Sequence, residues 1–314
     1  MNLARKIGVL SLKEDVHAQS IAHLAQQDGH HIVRFGTDVL DTSPSSIELA
    51  DGLVRPGVIT DLDGNRHRAD QFDVLWWRRP YGPQASAAMA DASGIAALVN
   101  SSAKLHIDGL FSCCGKVRFV NDRQAAMAAE NKIAQMHIAA AVGMAMPRTL
   151  FSNDPEPVRH FCRDHPGGTI VKSHANSSTL QIKTSLLSES VLDDDGAIAA
   201  APAIYQQYIE GDRHFRVFVV GTLYQAIQIR NGAVDSRIDL SVPMTPYRFN
   251  AVDEARMFAF MKMAKLDMGV FDFKMNDEGR LYFLEVNQQG QFAFMDVIAG
   301  TSCLSMTLSY LLNG

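Results

Sequence analysis

The 314-residue chain is sparing with cysteine. It has four, Cys113, Cys114, Cys162 and Cys303, and no C-x-x-C spacing. That argues against a disulfide framework and a zinc site, and fits reduced thiols in a cytoplasmic protein. No apolar run approaches the ~20 residues a membrane helix needs. Met1–Leu12 lacks the small-residue cleavage site of a signal peptide. Lysine and arginine form no run and the net charge is −5, so the broad basic footprint of a nucleic-acid binder is missing. G-x-G-x-x-G is absent, which removes the usual dinucleotide fingerprint. No Ser/His/Asp or Cys/His nucleophile pattern stands out, and there is no internal repeat or low-complexity tract. What remains is ordinary globular composition, 47% apolar and 20% charged, in a chain long enough for two or three domains.

The chain opens in a β-α-β pattern. Lys6–Leu12 reads as a strand, Asp15–Asp28 as a helix ended by Gly29, and His31–Phe35 as a second strand. Such an opening favours a parallel sheet. Asp51–Asp70 reads as a strand pair around the turn Asp63-Gly64-Asn65. Val74–Pro80, VLWWRRP, is a strand of large apolar residues running into Arg78 and Arg79. Arginine suits bidentate binding of carboxylate or phosphate, although a strand end with solvated charges is the plainer reading. Ala85–Asn100 and Asp122–Val142 read as helices, with Lys116–Asn121 a short strand between them. Ile170–Ser173 is a strand carrying Lys172, and His174–Thr179 is a small polar loop whose N–H groups could wrap phosphates. Ala203–Val220 reads as strand, turn, strand, and Leu223–Arg230 continues the sheet. Asn231–Phe249 is polar and irregular, Asp253–Leu266 is a helix, and Met295–Leu312 closes the chain as an apolar helix.

The most informative stretch is Gly269–Phe294. Two apolar runs, Val270–Phe273 and Arg280–Val286, flank Asn276-Asp277-Glu278-Gly279 and read as a hairpin. Asp272 sits in the first strand. Glu285 and Asn287 sit two apart at the end of the second, so they share a face. Acids in apolar strands are costly unless a positive group offsets them. Three oxygen donors on paired strands suit a hard cation such as Mg²⁺. Edge-strand acids facing solvent are the alternative.

This hairpin resembles the C-terminal metal-binding hairpin of ATP-grasp enzymes. The order Lys132, Lys172, Gln206–Glu210, Arg216, Arg230, Asp272, Glu285, Asn287 extends that resemblance over residues ~120–295. It implies an α/β (α+β) ATP-grasp fold with an N-terminal pre-ATP-grasp parallel-sheet domain. The domains would be 1–118, 119–205 and 206–314. By the resemblance, Lys132 and Lys172 reach ATP phosphates, and Gln207, Tyr208 and Ile209 form the hinge that reads adenine. Glu210 or His214 lies near the ribose, and Arg216 and Arg230 face the phosphoryl group. Asp272, Glu285 and Asn287 hold Mg²⁺.

Within that superfamily, Trp77-Arg78-Arg79-Pro80, the run at 146–155 and the E-V-N-Q-Q-G-Q-F ending are similar to microviridin-type (graspetide) peptide ligases. The implied activity joins side-chain carboxylates of a ribosomal precursor peptide, with leader and core, to hydroxyls or amines through an acyl phosphate. Arg78, Arg79 and Arg237 would face the peptide. A homodimer is allowed, and ester versus amide stays open. Two alternatives stand: a RimK-like ligase that adds a free amino acid, and a catalytically silent ATP-binding partner.

Overall fold

The computed structural model describes residues 5–39, 44–80, 95–112, 114–173, 184–232 and 241–314. The first sheet is parallel, in the order Ile32–Gly36, Ile7–Ser11, Val74–Trp77, Arg118–Val120. Every residue of Ile7–Ser11 and Val74–Trp77 is buried, as befits a parallel sheet covered on both faces. Alternation sends Ile7, Val9, Val74 and Trp76 into one core and Leu10, Leu75 and Trp77 into another. Helix Val16–Gln27 packs in the first core and helix Ile95–Leu110 in the second. The expected turn at Asp63-Gly64-Asn65 joins antiparallel strands Val58–Thr60 and Arg66–Arg68.

A small antiparallel sheet follows, in the order Thr149–Ser152, Ala203–Gln207, Thr169–Ser173, Ser185–Leu186. The third sheet is antiparallel, in the order Met244–Tyr247, Leu223–Arg230, Arg213–Val220, Met268–Met275, Leu281–Asn287. On one face, Phe215, Val217, Phe271, Phe273, Phe283 and Val286 pack against helix Ala251–Ala264 and Ala139 of helix Lys132–Ala141. On the other, Phe218, Val220, Met268 and Val270 share a core with helix Cys303–Asn313 and with Ile7, Val9 and Ile21 of the parallel sheet and its first helix. Ile227, Ile229 and Met244 belong to the same core, while His214, Arg216, Asp272 and Lys274 give that face its polar part.

Three expected elements differ from what forms. Asp122–Val142 is two helices, Arg123–Ala128 and Lys132–Ala141, because Asn131 leaves helical geometry and accepts hydrogen bonds from the N–H groups of Ile133 and Ala134. Met295–Leu312 is likewise two helices, Ala293–Ala299 and Cys303–Asn313, separated at Gly300, whose φ is 65°. The irregular Asn231–Phe249 contains an edge strand, Met244–Tyr247. The anticipated boundaries also cut elements: 118/119 falls inside Arg118–Val120 and 205/206 inside Ala203–Gln207. His174–Thr179 and Arg237 lie outside the described residues, as does the start of the helix expected from Ala85.

Candidate active site

The hairpin forms as expected, with strands Met268–Met275 and Leu281–Asn287. Gly279 turns the chain with φ 83° and donates its N–H to the Asn276 carbonyl. Asp272 and Glu285 pair directly across the ladder. A register shift between Asp272 and Phe273 leaves Leu284 as an extra residue. The bulge changes the phase of the strand. Phe283 and Val286, three apart, both enter the core, while Glu285 and Asn287 keep the polar face.

Two like charges across one rung repel, and each acid here has its own cation. Lys132 Nζ lies 2.5 Å from Glu285 Oε2. Arg216 Nη1 donates to both oxygens of Asp272, at 2.8 and 3.1 Å. The Arg216 fork is filled further: Nε and Nη2 donate to the Gln291 carbonyl at 3.0 and 2.9 Å. The Asp272 and Glu285 side chains are 17% and 20% exposed, so both remain reachable. Asn287 Oδ1 accepts from the Gln289 N–H at 2.9 Å and retains a second lone pair. Among the described residues no three His, Cys, Asp or Glu side chains converge; beside the two carboxylates stands this amide oxygen. Two carboxylates and an amide oxygen on one face fit Mg²⁺, which takes few protein ligands and completes its shell with water and phosphate.

The second lysine stands on the central sheet. Lys172 Nζ donates to Gln206 Oε1 at 2.8 Å, and Gln206 Nε2 donates to Thr149 Oγ1 at 2.9 Å. Gln206 is 1% exposed and shares its face with Ile204, the register partner of Lys172. Gln207 points the other way, where its Oε1 is 3.4 Å from the Arg148 N–H. The segment then crosses to the third sheet. The Tyr208 N–H donates to Gly168, Ile209 is buried and Glu210 is exposed. Lys274 Nζ sits 4.6 Å above the Tyr208 ring. Burial lowers the Lys274 pKa, with Asp212 and Asp277 opposing. His214 pairs with Lys274 across the ladder and is buried beside it.

Two arginines are not where the sequence suggested. Arg230 is exposed, pairs with Asp212 at 3.1 Å and is register partner to Arg213. Arg216 instead partners Ile227, so alternation puts Arg230 on the other parity, away from the acids. Arg78 is 2% exposed and has no face open to a substrate. Its Nη1 donates to the carbonyls of Gln289 and Gly290, at 2.7 and 2.9 Å. Arg79 is one-third exposed, with Nε 3.7 Å from Asp15.

Sequence reading gave no role to Gln206, Lys274, Gln135, Asp15 or His17. Gln135 donates to the Val286 carbonyl and accepts from its N–H, and so pairs with the hairpin edge beside Glu285. His17 Nε2 accepts from the N–H groups of Phe292 and Ala293. Burial and then Arg78 push His17 down to about 3, against the pull of Asp15. For Asp15, burial works upward, but Arg78, the Ala18 N–H and other cations outweigh it and the pKa falls. The i, i+2 spacing of Lys274 from Asp272 was a readable signal. Nothing local marks His17, whose partners lie 275 and 276 residues away.

The fold is that of ATP-grasp ligases, on which the chain superposes along nearly its whole length. The chain superposes on the macrocyclase MdnC of Microcystis aeruginosa, solved with the precursor peptide MdnA, at TM-score 0.87 and 22% identity, covering 98% of this chain and 100% of that one. It is similar to a Chryseobacterium gregarium RiPP-associated ATP-grasp ligase, in complex with ADP and a leader and core peptide, at TM-score 0.80 and 19% identity, covering 98% and 95%. A RimK domain ATP-grasp protein of Sphaerobacter thermophilus matches at TM-score 0.62 and 12% identity, covering 98% and 100%. No protein-family model matches the chain, and no curated protein sequence does.

Proposed function

We propose that the chain is an ATP- and Mg²⁺-dependent, ADP-forming peptide ligase that macrocyclises a ribosomal precursor peptide. The single observation that carries this reading is the alternating array of Glu285, Asp272 and Arg216 on one sheet face, completed by Lys132 from the adjoining helix. It stands in a fold shared over its full length with peptide-bound ligases. A side-chain carboxylate oxygen of the peptide attacks the γ-phosphorus of ATP, the β–γ bridge bond breaks, and ADP leaves. A Ser or Thr hydroxyl, or a Lys amine, then attacks the acyl carbon. The C–O bond to phosphate breaks, and the hydroxyl or amine proton passes to phosphate or solvent.

Each partner in the first step is an anion, so positioning and charge neutralisation do the catalytic work. Lys132 and Lys172 hold phosphate oxygens. Gln207, Tyr208 and Ile209 flank adenine, and Glu210 or His214 the ribose. Arg216 faces the transferring group, with Arg230 a more distant cation. Asp272, Glu285 and Asn287 would hold Mg²⁺, which supplies Lewis-acid charge stabilisation. Arg79 and Arg237 meet peptide carboxylates. A cytoplasmic enzyme fits Cys114, Cys162 and Cys303 as thiols outside any disulfide, and no described helix is long and apolar enough to cross a membrane. A homodimer is part of the same proposal. ADP release that needs both Mg²⁺ and an acidic peptide supports the reading; release indifferent to every peptide tried contradicts it.

A further inference from the structure

Arg78 is a fully buried cation in a place where an apolar residue could fill the space. Its guanidinium lies 5.7 Å from the ring centroids of both Trp76 and Phe292, and its nearest counter-charge, Asp15 Oδ2, is 3.6 Å from Nε. Burying a charge with so loose a partner is expensive. What the charge obtains is a grip on another part of the chain: the Gln289 and Gly290 carbonyls, 211 and 212 residues on. Gln289 in turn donates its N–H to Asn287 Oδ1, and Gly290 donates its N–H to the Asn287 carbonyl. Gly290 tolerates nothing larger, since a Cβ there would lie 2.7 Å from Val270 Cβ.

The same segment is held at each following residue. Arg216 takes the Gln291 carbonyl, and His17 takes the N–H groups of Phe292 and Ala293. Five consecutive residues, 289–293, therefore have a backbone group bound by one of three side chains. Two of those side chains, His17 and Arg78, belong to the N-terminal parallel-sheet domain.

We propose that Arg78 is a positioning residue that acts from the N-terminal domain through Gln289 to fix the side chain of Asn287, and hence the third oxygen donor of the Mg²⁺ site. This rests on the ligase reading for its metal, but not for the hydrogen-bond chain itself. A simple tie between domains would need no contact with the residue that orients Asn287. An outer-shell partner of a metal ligand would need that contact, and loss of such a partner typically costs about 10–100-fold in metal affinity.

The test is the double variant Asp15→Asn, Arg78→Met. It removes both charges together, so neither is left buried alone, and Asn still caps helix Val16–Gln27. Two quantities are measured on the full chain. The first is hydrogen exchange at the Gln289 and Gly290 amides. The second is the Mg²⁺ concentration for half-maximal binding of a fluorescent ATP analogue. Faster exchange at those two amides, with a Mg²⁺ requirement raised about 10–100-fold and metal-free nucleotide binding unchanged, is the expected result. An unchanged Mg²⁺ requirement, or exchange that rises evenly over the whole molecule, overturns the proposal. If the wild-type chain binds no Mg-nucleotide, the ligase reading fails instead, and unchanged exchange at Gln289 and Gly290 would then overturn the positioning chain as well. Should the double variant not fold, Arg78→Lys keeps the charge, loses the planar fork, and is judged by the same two readouts.

Discussion

Glu285 and Asp272 meet across one ladder rung, and their charges are tolerable only because Lys132 and Arg216 stand beside them. Glu285→Gln keeps the shape and removes the charge. ATP turnover should fall by at least about 100-fold, the range typical of losing a preorganised electrostatic contact, with the circular dichroism spectrum unchanged. Full turnover in that variant would contradict the proposed metal-holding role of Glu285. His17 makes a prediction about pH. Its pKa is about 3 in the folded chain, against an ordinary 6.5. Between those values the unfolded chain binds a proton that the folded chain does not. The stability contribution is therefore complete above pH ~6.5 and is lost as pH falls toward 3. His17→Gln can offer an amide oxygen to the same two N–H groups and takes up no proton. The melting temperature of the variant should be lower at pH 7 but should fall less between pH 7 and pH 5. An unaltered slope would contradict the assignment.

At the scale of elements, the hairpin was legible because a period-two apolar pattern and an Asn-Asp-Glu-Gly turn are local signals. The parallel opening was legible for the same reason. The break at Asn131 was not, since an alanine-rich run with no Gly or Pro reads as one helix. That break matters, because it makes Lys132 the first residue of a new helix capped by Asn131. Asn131→Ala should cost about 1 kcal/mol in urea unfolding and raise KM for ATP more than it lowers kcat. An unchanged KM would mean that the cap does not set Lys132. The Gln206/Gln207 pair shows how finely a site residue depends on register. One step along a strand reverses the side chain, and it is Gln206, not Gln207, that meets Lys172. The Leu284 bulge was equally hidden, yet it lets Glu285 face the site while Phe283 and Val286 fill the core.

On the scale of the whole molecule, one core joins the parallel sheet to the five-stranded sheet and the C-terminal helix. Ile7, Val9 and Ile21 share it with Phe218, Val270 and Leu311. No local pattern reveals such a core, because its members are up to 304 residues apart (7 and 311). The burial of Arg78 follows from it: a W-W-R-R-P strand end looks solvated until the 289–293 segment closes over it. Leu311 is fully buried. Leu311→Ala should cost about 2–5 kcal/mol and should shift a single unfolding transition as a unit. Separate transitions, with the parallel sheet unaffected, would show that the core does not couple the two regions.

Mass spectrometry of an acidic precursor peptide incubated with this protein, ATP and Mg²⁺ decides whether the chain closes rings. A macrocyclising ligase removes one water for each ADP released, adds no residue, and is inert as the Glu285→Gln variant. A mass gain equal to an amino-acid residue, or ADP release that leaves every such peptide unchanged in mass, would contradict that reading.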